Sequence, residues 1–320
     1  MHVPRRNKER LHMAVTTTLT TREATWDSIG YSTGNTSAFE EALAKSHLDF
    51  EAKVVPAMCQ VGCEMLGIPN TNAVIGTDNK IHGVVSSAYH IIQNRDAFSF
   101  AQYMGDDLKF LRGGETGSGL NYLIGALPSI KILGDEFTPH LILQNAFNKK
   151  YACKAAIYPL RIVCQNQFNI AFSEADNVVA IRHSGTAAEK LEQAKETIAA
   201  AAGYMSEFSK LAEKFATLHV GKDAAVVFAD YLFPITDDMA DTTRQRIQMK
   251  RDDFINCYAA ADNANFRGSA WGLINAYTDF ATHYAGTNEK KNARTFEKRF
   301  ERSLYTPMNN IIEYVEELAA

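Results

Sequence analysis

The sequence has no run of apolar residues near the roughly 18 that a membrane-spanning helix needs. No apolar stretch follows the basic start Arg5, Arg6, Lys8 and Arg10, so a solvated arm is expected there rather than a secretory signal. Cysteine is sparse: Cys59, Cys63, Cys153, Cys164 and Cys257 are odd in number and widely spaced. That excludes a disulfide frame and points to reduced thiols in a cytoplasm. Cys59 and Cys63 are spaced for a shared helix face, but no second Cys or His pair accompanies them, so no zinc site is expected. The nine histidines fall in no metal-ligating spacing, and there is no Gly-x-Ser-x-Gly elbow. Gly113 to Gly119 is glycine-rich but lacks the Gly-Lys-Ser/Thr of a phosphate loop, and a strand follows it, so it is expected to be a hairpin tip. Asp237, Asp238 and Asp241 fit acids favoured at a helix start. No motif asks for an enzyme, a metal or a cofactor. The net charge of −4 is too small to indicate a partner, though a local basic face is compatible with nucleic acid.

What is present is organised around residues 137–183. Phe137 to Gln144 alternates apolar and polar, the period of a half-buried strand. Asn148, Lys149 and Lys150 form a polar turn. Tyr151 to Ile157 alternates again, and Pro159 is expected to end that strand. From Arg161 the period becomes helical: Cys164, Phe168, Ala171 and Phe172 form one stripe, with Cys164 a buried thiol. One more strand is expected at Asn177 to Ile181. Upstream, Ser37 with Glu40 suggests a capping box opening a helix over Ala38 to Ser46. Strands are expected over Phe50–Met58, Asn72–Gly76, Ile81–Val85, Leu108–Leu111 and Leu120–Ile132, with a helix over Tyr89–Met104. After Ser184 the composition turns to Ala, Glu and Lys, and helices follow to Leu318. The expected fold is α+β: a mainly antiparallel sheet packed on helices over about 50–183, then an all-α C-terminal region. The expected organisation is a flexible N-terminal arm over 1–36, an α+β core over 37–185 and a helical region over 186–320.

The strongest chemical signal is basic. Lys149, Lys150, Lys154 and Arg161 stand together with no acid among them, interleaved with Tyr151 and Tyr158. Cations neutralise phosphates and aromatic rings stack on unpaired bases, which is the composition of a single-strand groove. The candidate DNA-binding set is Lys149, Lys150, Lys154, Tyr158, Arg161, Asn166 and Arg182. The competing reading is a solvated hairpin with core tyrosines. A second basic run, Lys290, Lys291, Arg294, Lys298, Arg299 and Arg302, is diluted by Glu289, Glu297 and Glu301, which favours a solvated helix face.

Arg161-Ile162-Val163-Cys164-Gln165-Asn166 resembles the Arg-Val-Val-Cys-x-Asn signature of the phage/plasmid-like proteins, the family known as domain of unknown function 932. Ile132 to Glu136, Ile181-Arg182-His183 and Gly268 to Asp279 resemble the same family, over roughly residues 50–285. The sequence departs from that pattern at Gln167-Phe168 and at Ala146 to Lys150. The resemblance implies a protein of mobile DNA, and the order of sheet then helix is similar to the β-β-β-α core of RecT-type annealing proteins. The leading expectation is a single-stranded DNA binding and annealing protein, a homo-oligomer with single-stranded DNA as partner and the C-terminal helices between protomers or recruiting another protein. The alternatives are a counter-defence protein that binds a host protein without touching DNA, and a metal-dependent nuclease.

Overall fold

A computed structural model describes residues 29–161, 166–167, 178–181, 185–284 and 308–319. In chain order, β1 (Tyr31–Thr36) is followed by α1 (Phe39–Lys45), then β2 (Ala52–Val61), β3 (Glu64–Gly76) and β4 (Ile81–Ser86). Next come α2 (Asn94–Phe98), a 3-10 stretch over Ser99–Asp107, and the strands β5 (Lys109–Glu115), β6 (Leu120–Ala126), β7 (Ile130–Ile132), β8 (Asp135–Ala146), β9 (Lys154–Arg161), β10 (Asn166–Gln167) and β11 (Val178–Ala180). The rest is helical: α3 (Ala187–Thr217), α4 (Ala224–Leu232), α5 (Asp241–Tyr258), α6 (Ala270–Asp279) with a π turn over Phe280–Tyr284, and α7 (Asn309–Ala319). The α+β expectation holds, with antiparallel sheets first and helices after.

The larger sheet runs in the order β1-β5-β6-β8-β9-β10, with β7 also on β8 and β11 also on β9. A smaller sheet runs β2-β3-β4. In the larger sheet, Phe110, Leu123, Phe137, Leu141, Leu143, Ala155 and Ile157 face the helices. The helix α3 starts at a reciprocal cap, in which the Thr186 amide donates to Glu189 and the Glu189 amide to the Thr186 hydroxyl. Its buried side includes Ala194, Ala201, Met205, Phe208, Ala212 and Phe215, at helical spacing. Phe208 meets Phe137 on β8 at 5.3 Å and Trp271 on α6 at 5.8 Å, ring centre to ring centre. Burying one such ring stabilises by about 1.5–3 kcal/mol. One core therefore joins the sheet to the helical half, and residue 185 does not divide two cores.

Four expectations are corrected. The arm does not extend to residue 36, because Tyr31–Thr36 pairs with β5, Tyr31 opposite Gly113; residues 1–28 lie outside the described ones. The α1 helix forms, but Ser37 is not its cap: Thr36 accepts from the Ala38 amide at 3.0 Å, while Ser37 donates to Asp106. Pro159 does not end its strand. It sits opposite Pro139 within the β8–β9 ladder. Neither proline can donate, so this is a non-hydrogen-bonded pair. On its other side, Pro159 falls between the residues that pair with β10 and those that pair with β11, so no ladder bond is lost there. Finally, Asn166 and Gln167 pair as strand with Arg161 and Leu160, in place of the expected helix. Cys164 and the rest of that predicted stripe lie outside the described residues.

Candidate nucleic-acid interface

The β8–β9 connection is a tight turn. Lys149 takes a left-handed backbone, φ 61°, and the Asn148 side chain accepts from the Lys150 amide at 3.0 Å, so Asn148 closes the turn with its own carbonyl. This geometry presents Lys149 and Lys150, both exposed, at the end of the larger sheet. Lys149 Nζ donates to the Ser86 hydroxyl at 2.7 Å and lies 5.6 Å from the centre of the Tyr89 ring. Lys154, half-buried, opens β9 on the same side of the turn, opposite Gln144. The half-buried Tyr151 ring is anchored by a 2.7 Å bond from its hydroxyl to Ser118. Tyr89, also half-buried, donates to the Ala146 carbonyl at 3.2 Å. Burial pushes the Tyr89 hydroxyl pKa above its ordinary value.

The predicted set is split by the structure. Lys149, Lys150 and Lys154 come together around the turn. Tyr158 is 1% exposed and packs with Ile29, Tyr122, Ile124, Ile142 and Leu160 in a second core on the other face of the sheet. Arg161 is 2% exposed; its guanidinium grips Asp135 at 2.8 and 2.5 Å, donates to the Asp262 carbonyl at 2.8 Å and lies 5.6 Å from the Phe266 ring centre. Neither is a surface group, so neither can serve as the base-stacking or phosphate contact expected of it. The physical reason is that β8 and β9 are buried on both faces, not one, so the face expected in solvent is a core. Asn166 is in β10, and Arg182 lies outside the described residues. No periodic signal ties Tyr89 to the turn, so sequence reasoning misses it and puts it inside a helix, whereas α2 begins only at Asn94.

Close by, the buried His82 ring sits between two carboxylates, Nε2 3.1 Å from Asp78 and Nδ1 3.3 Å from Glu115. It stacks on Phe50 with ring centres 4.2 Å apart and planes 4° apart. Burial alone would lower the His82 pKa, but the two carboxylates outweigh it and hold the pKa above its ordinary value. Glu115 and Asn148 both border Gly119, so this imidazole occupies a carboxylate, Glu115, that stands beside the lysine turn. Among the described residues no group of three or more His, Cys, Asp or Glu is placed to hold a metal ion. An open groove of about 520 Å³ between α3 and the β6–β7 connection is lined mainly by apolar residues, among them Leu127, Pro128, Ile130, Ile198 and Met205, with Asp107, Ser206 and Ser209 as its polar groups. Among the described residues no helix is long and apolar enough to cross a membrane.

The sequence profile of a family described as Domain of unknown function (DUF932) matches residues 81–304, more than half of the chain. No curated protein and no solved structure matches the chain.

Proposed function

The chain belongs to the family described as domain of unknown function 932, and from that premise we propose that it is a single-stranded DNA binding and annealing protein of mobile genetic elements. The observation that carries this reading is the lysine turn. Lys149, Lys150 and Lys154 surround one tight connection flanked by the rings of Tyr89 and Tyr151, and no Asp or Glu occurs between residues 137 and 173. Clustered cations beside aromatic edges attract a phosphate backbone and offer surfaces on which bases stack, without reading sequence. Pairing of Asp78 and Glu115 with His82 lessens the repulsion these acids would exert on a phosphate approaching the turn. The test is fluorescence anisotropy of a labelled oligonucleotide titrated with the protein at several salt concentrations. Binding that weakens steeply with salt is expected; no binding at low salt ends this reading.

The burial of Tyr158 and Arg161 favours a second reading, an interaction protein that acts on a host protein without contacting DNA, because it removes two of the groups a groove on β9 would use. The same titration separates the two.

A further inference from the structure

Beyond the rest of their sheet, β2 and β3 continue as a two-stranded ribbon that pairs with no third strand among the described residues. Met58 pairs with Gly67, Cys59 with Leu66, Gln60 with Met65 and Val61 with Glu64. The strand β4 pairs with β3 only at Thr71–Ile75, so it stops short of the ribbon. Every residue from Met58 to Asn70 is exposed. Met58, Val61 and Met65 are each more than half exposed, with Leu66 and Ile68 close behind. The register puts Met58 and Met65 on one face of the ribbon and Val61 and Leu66 on the other, so both faces are apolar and exposed. A two-stranded ribbon with no third strand is marginal in water, which leaves it in need of a further contact.

The charge pattern narrows the occupant. Residues 54–79 contain no Lys or Arg, and Glu64 is the sole charge in the ribbon. An acidic, apolar ribbon does not attract nucleic acid. Its two edges also differ. The outer edge of β3 carries Glu64 and Pro69, a charge and a missing donor, both of which block strand addition. The inner half of β2 carries Lys53 and Pro56, which protect it in the same way. The outer half of β2, Ala57–Val61, has no such guard.

We propose that this outer half of β2 pairs antiparallel with the same segment of a second copy of the chain. A two-fold contact of this kind is self-complementary. It would join the two small sheets into one continuous sheet, β4-β3-β2 running on into its copy. Pro56 at one end and the Gly62 turn at the other centre the longest self-pairing on Cys59, with Met58 opposite the copy's Gln60 position. Glu64 lies on β3, away from the seam, so no like charges meet across it. Strand pairing alone buries less than the roughly 800 Å² per partner of a standard interface. The dimer is therefore of the small, reversible class. This inference rests on the ribbon and is independent of DNA binding.

Antiparallel partners lie about 4.5 or 5.5 Å apart at Cα, and both values fall within the roughly 4.4–6.8 Å window that a disulfide spans. Cys59 is therefore a built-in probe, and the experiment contains no DNA. The full chain carrying Cys63→Ser is treated with diamide; two Cys59 thiols give up two protons and two electrons to the diamide, which is reduced to the hydrazine as the S–S bond forms. A covalent dimer that peptide mapping places at Cys59–Cys59, and that disappears when Cys59→Ser is added, is expected. Sedimentation velocity of the wild type should show mass rising with concentration, and Met58→Lys with Gln60→Lys should weaken that association by about tenfold or more. Should the lysine variant fail to fold, the cross-link decides alone. A wild type that stays monomeric at all concentrations without a Cys59 cross-link overturns the proposal. So does self-association that the lysine pair leaves untouched, or binding to phosphatidylcholine vesicles by a ribbon that never dimerises.

Discussion

Glu115, at the end of β5 in the larger sheet, reaches His82 of the smaller sheet at 3.3 Å, and the two sheets are held to each other through that imidazole. The geometry fixes a pH dependence. His82 has its folded pKa raised above an unfolded value of about 6.5, so its stabilisation is full below that value and is lost as pH rises through the folded pKa. Asp78 has a lowered pKa: its burial raises it, but the bond to His82 and the Lys80 amide lower it further. Its stabilisation is present above about pH 4 and fades as pH falls through the folded value. The clamp should therefore be strongest between roughly pH 4 and 6.5. Thermal melts of wild type and His82→Ala should differ most near pH 5.5, and the difference should shrink toward the packing loss against Phe50 as pH rises through the folded pKa. A difference that does not change with pH would mean that folding leaves the His82 pKa where it is in the unfolded chain, and one that shrinks or reverses as pH falls would mean that the folded ring stays neutral.

His140 should act in the opposite sense. Burial pushes its pKa down to about 4, despite the bond to the Thr138 carbonyl at 3.0 Å. The unfolded chain binds this proton more readily, so the neutral ring's stability is intact above about pH 6.5 and is lost as pH falls toward 4. A shift of that size is worth on the order of 3 kcal/mol. In His140→Gln, stability should fall less between pH 6.5 and 4.5 than in wild type. Chemical denaturation across that range measures it, and equal slopes in the two proteins would contradict it.

Arg161 joins β9 to the helical half by holding Asp135 and the Asp262 carbonyl together. Removing one partner of a buried pair leaves the other uncompensated, so Arg161→Ala should cost about 3–5 kcal/mol of stability. Tyr158→Ala should cost a similar amount, about 3–5 kcal/mol, through the cavity it leaves. Urea denaturation checks both. Variants that keep wild-type stability and lose only oligonucleotide binding would return these residues to the surface site.

These two residues also show where the sequence stops being informative. Alternation along residues 137–144 and 151–157 makes the hairpin legible, because side chains must point to opposite faces of a strand. Parity assigns Lys154 and Tyr158 to one face correctly. It cannot say that this face is a second core containing Ile29, distant in sequence. Pro159 misleads for a similar reason: its effect depends on which neighbouring strand lies beside it, which is a tertiary fact. The first half of β3 escapes a sequence reading because Gly67, Pro69 and Asn70 interrupt any strand pattern, though β2 pairs with it through Met58–Val61. His82 carries no local signal either, since one of its carboxylates is 33 residues away.

The lysine turn supplies the last prediction. Lys149 and Lys150 are exposed and hold no core together, so Lys149→Ala with Lys150→Ala should change stability by no more than about 1 kcal/mol, as for surface charges in general. If both touch phosphates, the slope of log affinity against log salt should flatten by about 1.4, because each single-strand phosphate left without its lysine removes about 0.7. Lys154→Ala should flatten it by a further ~0.7. Tyr158→Phe keeps the buried ring and should leave slope and affinity unchanged. Tyr151→Ala removes an aromatic edge beside the turn and should cost on the order of 1–3 kcal/mol of binding if a base stacks there. Anisotropy titrations at several salt concentrations, run beside thermal melts of each variant, measure these effects separately. Wild-type slopes in all the folded lysine variants would place the phosphate-binding groups away from the β8–β9 turn.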